Sequence, residues 1–139
     1  MKALVTGGGG FLGKAIVKLL LARGNQVRTF SRGAYPELVE LGAELGAGED
    51  RYLPLTLDLR DPDATVAMFD ELRARWGGVD VLVNNAGAGV RIAPLAEMSD
   101  EEIERAIAVN LTGTYLCAQA QAQQFLRQEP IEGKIVNIA

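Results

Sequence analysis

With 139 residues, 48% of them hydrophobic, the chain has the length and apolar content of one domain, residues 1–139, around a single core. A net charge of −4 with scattered basic residues gives no electrostatic footprint for nucleic acid and no polybasic patch for a membrane. The absence of histidine and the single cysteine exclude intrachain disulfides, histidine catalysis and His/Cys metal sites, and with neither a signal-peptide pattern nor a membrane-length apolar run a cytoplasmic protein is expected.

Residues 3–17 pass from an apolar run through four consecutive glycines into a helical pattern. Gly8, Gly10 and Gly13 satisfy G-x-G-x-x-G, whose spacing serves a tight turn, close approach of backbone to a phosphate, and close packing of helix on strand. A helix starting at Gly10 or Phe11 points unpaired N–H groups and its positive dipole end at a pyrophosphate. Gly8, Gly13 and Lys14 also approach the phosphate loop of nucleoside triphosphatases, but Ala15 stands where Ser or Thr should hold magnesium. The best strand for a second magnesium group runs into Asn84-Asn85 instead of an acid.

Leu12, Ala15, Ile16, Leu19 and Leu20 recur at helical spacing as far as Gly24. Gln26 to Ser31 then alternates as a second strand, completing the strand, helix, strand unit that dinucleotide binding requires. An acid at that strand's end would accept the ribose hydroxyls, whereas a cation accommodates a 2′-phosphate. Ser31 and Arg32 stand there, which favours NADP(H) over NAD(H).

Pro36 suits the first turn of a second helix with Leu38, Leu41 and Leu45 as its apolar face. Tyr52 to Asp58 alternates like a strand, and Pro54, which cannot donate to a ladder, marks it as an edge. Asp61-Pro62 opens a third helix with an apolar stripe of Val66, Phe69, Leu72 and Trp76, stopped by Gly77-Gly78. Val79 to Val83 is a nearly all-apolar fourth strand, as expected with helices on both faces. It runs into Asn84-Asn85-Ala86-Gly87-Ala88-Gly89, whose amides can hold neighbouring loops and whose small residues admit a ligand.

Ser99 to Glu102 is a capping box opening a long helix through about Gln128. Helical steps put Ile103, Ile107, Asn110, Thr114 and Cys117 on one face, where the Asn110 amide needs a partner or a function. Ala118 to Gln124 reads as solvated surface, and Lys134 to Ala139 as a fifth strand. The predicted architecture is α/β: three layers, doubly wound, with a five-stranded parallel sheet of order 3-2-1-4-5.

Together these residues resemble the N-terminal half of the short-chain dehydrogenase/reductase family over essentially the whole chain. Thr6-Gly7-Gly8-Gly9-Gly10-Phe11-Leu12-Gly13 is similar to the cofactor turn T-G-x-x-G-x-x-G of its extended branch. From Leu57-Asp58-Leu59 onward the chain looks like the shorter branch. The resemblance implies a Rossmann fold holding NAD(P)(H), with Asp58 and Leu59 at the adenine and Asn85-Ala86-Gly87, part of an N-N-A-G signature, against the cofactor. It also implies that Asn110 occupies the position of the catalytic-tetrad asparagine.

The family's Tyr-x-x-x-Lys has no counterpart, since Tyr35, Tyr52 and Tyr115 are followed four residues on by Val39, Thr56 and Gln119. Ser31 and Ser99 fall in the cofactor region and a helix cap, which leaves the catalytic serine unmatched. The expectation is a dinucleotide-binding module without turnover. Its rivals are a structural scaffold without ligand and an NADP-dependent carbonyl oxidoreductase completed by residues from elsewhere. Mixed branch features that stop before the catalytic serine fit a designed chimera, an isolated half-domain or a truncated gene alike. An open fifth strand and an uncovered outer side of the fourth helix, with Val109, Leu116 and Ala120 off its core stripe, predict self-association, most simply a homodimer through either element.

Overall fold

The computed structural model describes residues 1–89 and 91–139. Strands β1 (Lys2–Thr6), β2 (Gln26–Ser31), β3 (Tyr52–Thr56), β4 (Val81–Asn84) and β5 (Lys134–Asn137) alternate with helices α1 (Phe11–Ala22), α2 (Pro36–Glu44) and α3 (Pro62–Trp76), and with the pair α4 (Asp100–Ile107) and α5 (Thr114–Phe125) between β4 and β5. They form one five-stranded parallel sheet of order β3-β2-β1-β4-β5. Pro54 lies on the edge strand β3, opposite Thr29 of β2, as its missing donor requires.

Period-two alternation sends neighbouring β1 residues into two separate cores. Leu4 joins Phe30, Phe69, Leu72, Trp76, Leu82 and Cys117 under α3 and α5, whereas Val5 joins Val17, Leu21, Val27, Leu38, Tyr52 and Val83 under α1 and α2. Burial pushes the Cys117 thiol up to about 12, which makes it a packing group rather than a nucleophile. Among the described residues no helix is long and apolar enough to cross a membrane.

Local chemistry sets the helix ends. The Asp61 side chain accepts from Ala64 N at 3.0 Å at the start of α3, and Gly77 closes the helix in the left-handed region at φ 73°, where glycine carries no Cβ penalty. The Ser99–Glu102 capping box is formed in both directions at α4.

Several faces differ from the sequence reading. In α1 the buried residues are Gly13, Val17 and Leu21, while Leu12 and Leu19 are exposed; the helix is apolar nearly all round, so close approach at Gly13 chooses the face. In α3, Thr65 and Met68 are buried and Val66 is exposed. The long fourth helix is interrupted by a π-turn at Ala108–Gly113, which adds a residue to one turn and rotates the helix beyond it. Ile107, just before the turn, and Asn110 within it face outward, and Val109 and Ala120, expected off the core, pack against it.

The glutamine run is not solvated throughout. Gln121 and Gln124 are buried, with Gln121 Nε2 donating to Val79 O at 3.0 Å and Gln124 Nε2 donating to Gln128 Oε1 at 3.2 Å. A buried cation was also unforeseen. The Arg28 side chain is fully buried in β2, ion-paired to Glu71 of α3, with its guanidinium 6.0 Å from the Trp76 ring centre.

Candidate functional site

All five strands run the same way, so their carboxyl ends share one edge of the sheet, and there the β1, β2, β3 and β4 turns surround a cleft of about 730 Å³. In parallel sheets this crevice, where the strand order reverses, is where ligands bind.

The glycine turn forms its floor. Gly7 has φ 68° and donates to Phe30 O at 2.8 Å; a Cβ on it would lie 2.7 Å from Ala86 Cα. Gly10 N donates back to Gly7 O at 3.0 Å, and a Cβ on Gly13 would overlap that same carbonyl oxygen. The turn and the first turn of α1 therefore nest only because both positions lack side chains.

At the start of α1, Gly10 supplies no side-chain cap and the first turn holds no acid. The first-turn N–H groups of Phe11, Leu12 and Gly13 have no acceptor within the helix, and these residues line the cleft. The positive end of the helix dipole is thus presented to the space.

Two expected residues act from beneath. Thr6 Oγ1 accepts from Asn85 N at 3.0 Å and Ala86 N at 2.8 Å, while Asn85 Nδ2 donates to Thr6 O at 3.0 Å and Gly7 O at 3.2 Å. This pair staples the β1 and β4 turns, with Asn85, Ala86 and Gly87 left on the cleft wall. Gly8 lies outside the lining; a Cβ there would collide with Thr29, so Gly8 serves strand packing and Gly7 makes the tight turn.

Asn110 lies outside the lining too. Its Oδ1 accepts from Ala88 N at 2.8 Å and its Nδ2 donates to Ala88 O at 2.9 Å, which satisfies the amide and fixes the loop after β4.

On the far wall Ser31 ends β2 and Arg32 follows it, and Leu57, Asp58 and Leu59 follow β3. Arg60 grips the Asp58 carboxylate through Nε at 3.0 and 3.1 Å and Nη2 at 2.6 Å. That hydrogen bonding, aided by the charges of Arg60 and Arg32, holds the Asp58 carboxyl at about 2 instead of 3.8. Because the folded value is the lower one, the pair's stabilisation is complete above the ordinary carboxylate range and is lost as pH falls towards 2. An NMR titration of the Asp58 carboxyl should show this low midpoint, and Arg60→Gln should return it towards 3.8; an unchanged midpoint in the variant would remove Arg60 as the cause.

Tyr35, Arg105 and Val109 also line the cleft and escaped the sequence reading. The helical spacing of Arg105 and Val109 just before Asn110 was the available signal for the latter two.

The profile of the family described as short chain dehydrogenase matches residues 1–139. A short chain dehydrogenase/reductase of Macrophomina phaseolina is 36% identical over 137 residues, covering 98% of this chain and 78% of that protein. A D-threitol dehydrogenase of Mycolicibacterium smegmatis is 35% identical, covering 99% of this chain and 51% of that protein. The crystal structure of a metagenomic short-chain oxidoreductase in complex with NADP superposes with a TM-score of 0.87 at 34% identity, covering all of this chain and 61% of that one. The chain thus spans from about half to about three quarters of these relatives.

Proposed function

The chain belongs to the short-chain dehydrogenase family, and from that premise we propose that its cleft binds NADP(H) in preference to NAD(H), without turnover by these 139 residues alone. The observation that carries this reading is the uncapped, acid-free start of α1 opening on the same cleft as Arg32. A dinucleotide fits the residues present. Phe11, Leu12 and Gly13 offer N–H groups to the pyrophosphate, the Gly7–Gly13 nest leaves room for it, Arg32 offers a cation to the 2′-phosphate, and the fixed Asp58 carboxylate offers an acceptor to the adenine amino group. Once bound, a nicotinamide dinucleotide supplies hydride transfer.

In this reading Asn110 orients the loop after β4 through Ala88. No tyrosine here has a lysine four residues on, so the proton-donating partner of a hydride step is not among these residues.

Replacing Arg32 by alanine tests the preference. Loss of a charged hydrogen bond to the phosphate should weaken NADPH by about 1 to 3 kcal/mol and leave NADH nearly unchanged; equal weakening of both refutes the assignment. Absorbance of NADPH mixed with a panel of carbonyl compounds should stay constant, and steady consumption would refute the absence of turnover.

Self-association belongs to the same reading. β5 has a free edge and bears exposed Val136, with exposed Ile138 just past its end, and the outer side of α4 and α5, with the turn between them, carries exposed Ile107, Leu111 and Tyr115. Open apolar strand edges pair with other chains, so light scattering across a concentration series should show a dimer, against which a monomer at high micromolar concentration would count.

A further inference from the structure

Tyr35 stands at the N-cap of α2 with no side-chain cap hydrogen bond, so starting that helix does not explain the residue. Its ring instead packs against the glycine loop. A Cβ on Gly9 would collide with the ring, and one on Gly33 would touch it at 3.6 Å. Lys14 Nζ of α1 sits over the same ring, 5.9 Å from its centre, while pairing with Glu37 Oε1 at 2.6 Å. One residue before Arg32, the buried Ser31 Oγ accepts from Gly9 N at 3.0 Å.

The corner carrying Arg32 is therefore tied to the loop beneath the cleft on both sides: by a hydrogen bond at Ser31 and by ring packing through Gly33 and Tyr35. We infer that Tyr35 is a positioning residue that holds the Ser31–Gly33 corner on Gly9, and so fixes the Arg32 guanidinium where it discriminates the two dinucleotides. This rests on the proposed role of Arg32. The physical reason is entropic, since an arginine on an unheld corner must be ordered by the ligand itself, and that ordering subtracts from its contribution to affinity.

Two measurements separate this inference from the reading beneath it. Without any dinucleotide, trypsin reports whether the corner is held through the rate of cleavage at the Arg32–Gly33 bond. Tyr35→Ala, and Gly9→Ala, which pushes a methyl into the ring, should speed that cleavage severalfold with other sites unchanged, whereas Tyr35→Phe should match the parent chain. In titrations, Tyr35→Ala should weaken NADPH about tenfold and NADH less than about twofold, with Tyr35→Phe restoring the difference. Equal cleavage rates in all four proteins, or equal weakening of both dinucleotides by Tyr35→Ala, would overturn the inference. A parent chain that binds both dinucleotides equally would overturn the discrimination along with the Arg32 reading, while the trypsin comparison would still decide whether the ring holds the corner.

Discussion

Gly13→Ala is expected to abolish saturable NADPH binding and to lower stability by about 2 kcal/mol. The added Cβ would overlap Gly7 O and lie 2.8 Å from Gly8 Cα and 2.9 Å from Asn85 Nδ2. Two of these neighbours are backbone, which cannot rotate away, so α1 must lift off the turn and loosen Val17 and Leu21 from the sheet. Alanine is the better helix former by about 1 kcal/mol, which offsets part of an overpacking cost of about 1 to 3 kcal/mol; direct overlap with the Gly7 backbone takes that cost at its upper end and leaves about 2 kcal/mol. Gly10→Ala is the control, because its Cβ would stop 3.4 Å from Gly7 O and should cost little stability. Urea unfolding and NADPH titration of both variants check this. A Gly13→Ala protein as stable as its parent would mean that helix and turn do not meet as described.

Glu71→Ala should be the most damaging change at a half-exposed side chain, at about 2 to 3 kcal/mol. Arg28 is fully buried in the middle of β2, and its Nε and Nη1 find no hydrogen-bond partner. Burial lowers its pKa, and the nearby Glu71 carboxylate raises it again. Removing the carboxylate strands a buried cation with only the Trp76 ring for compensation. Half the Glu71 side chain is in solvent, which is why the figure stays below that for a fully buried pair. Arg28→Met removes the charge and its desolvation together and should fall within about 1 kcal/mol of the parent. Chemical denaturation of the two single variants and the double variant separates these terms. A harmless Glu71→Ala would mean that water, not Glu71, solvates the guanidinium.

How far the sequence carried depends on whether a residue's role is local. Strand alternation, the glycine turn, the capping box and the edge placement implied by Pro54 are settled within a few residues, and the sheet order followed from the doubly wound strand–helix alternation they define. The face of α1 could not be read, since Phe11 to Ala22 is apolar on nearly every side and the choice falls to Gly13 meeting Gly7. The π-turn after Ile107 left no mark in the pattern, yet Val109 within it and Ala120 beyond it pack on the core. Gln121 looked like surface because helix propensity does not register that Val79 O, 42 residues away, needs a donor. Arg28 could have been found: in a strand covered on both faces no side is polar, so a charge there requires a partner.

Within the cleft, the residues set by the glycine turn and by the loops after β2, β3 and β4 were legible because each comes directly after a strand end. Tyr35 was not, because its contact with Gly9 joins two loops that only the parallel pairing of β1 and β2 brings together.

The most direct test is an NMR-monitored titration of the ligand-free chain with NADPH and, separately, NADH. The proposed function predicts saturable one-to-one binding, tighter for NADPH, with amide shifts concentrated at Phe11, Leu12, Gly13, Arg32, Asp58, Ala86 and Gly87. No saturable binding at millimolar ligand, or shifts centred instead on the groove that Val66, Phe69 and Arg73 of α3 and Gln123 of α5 line, would contradict it.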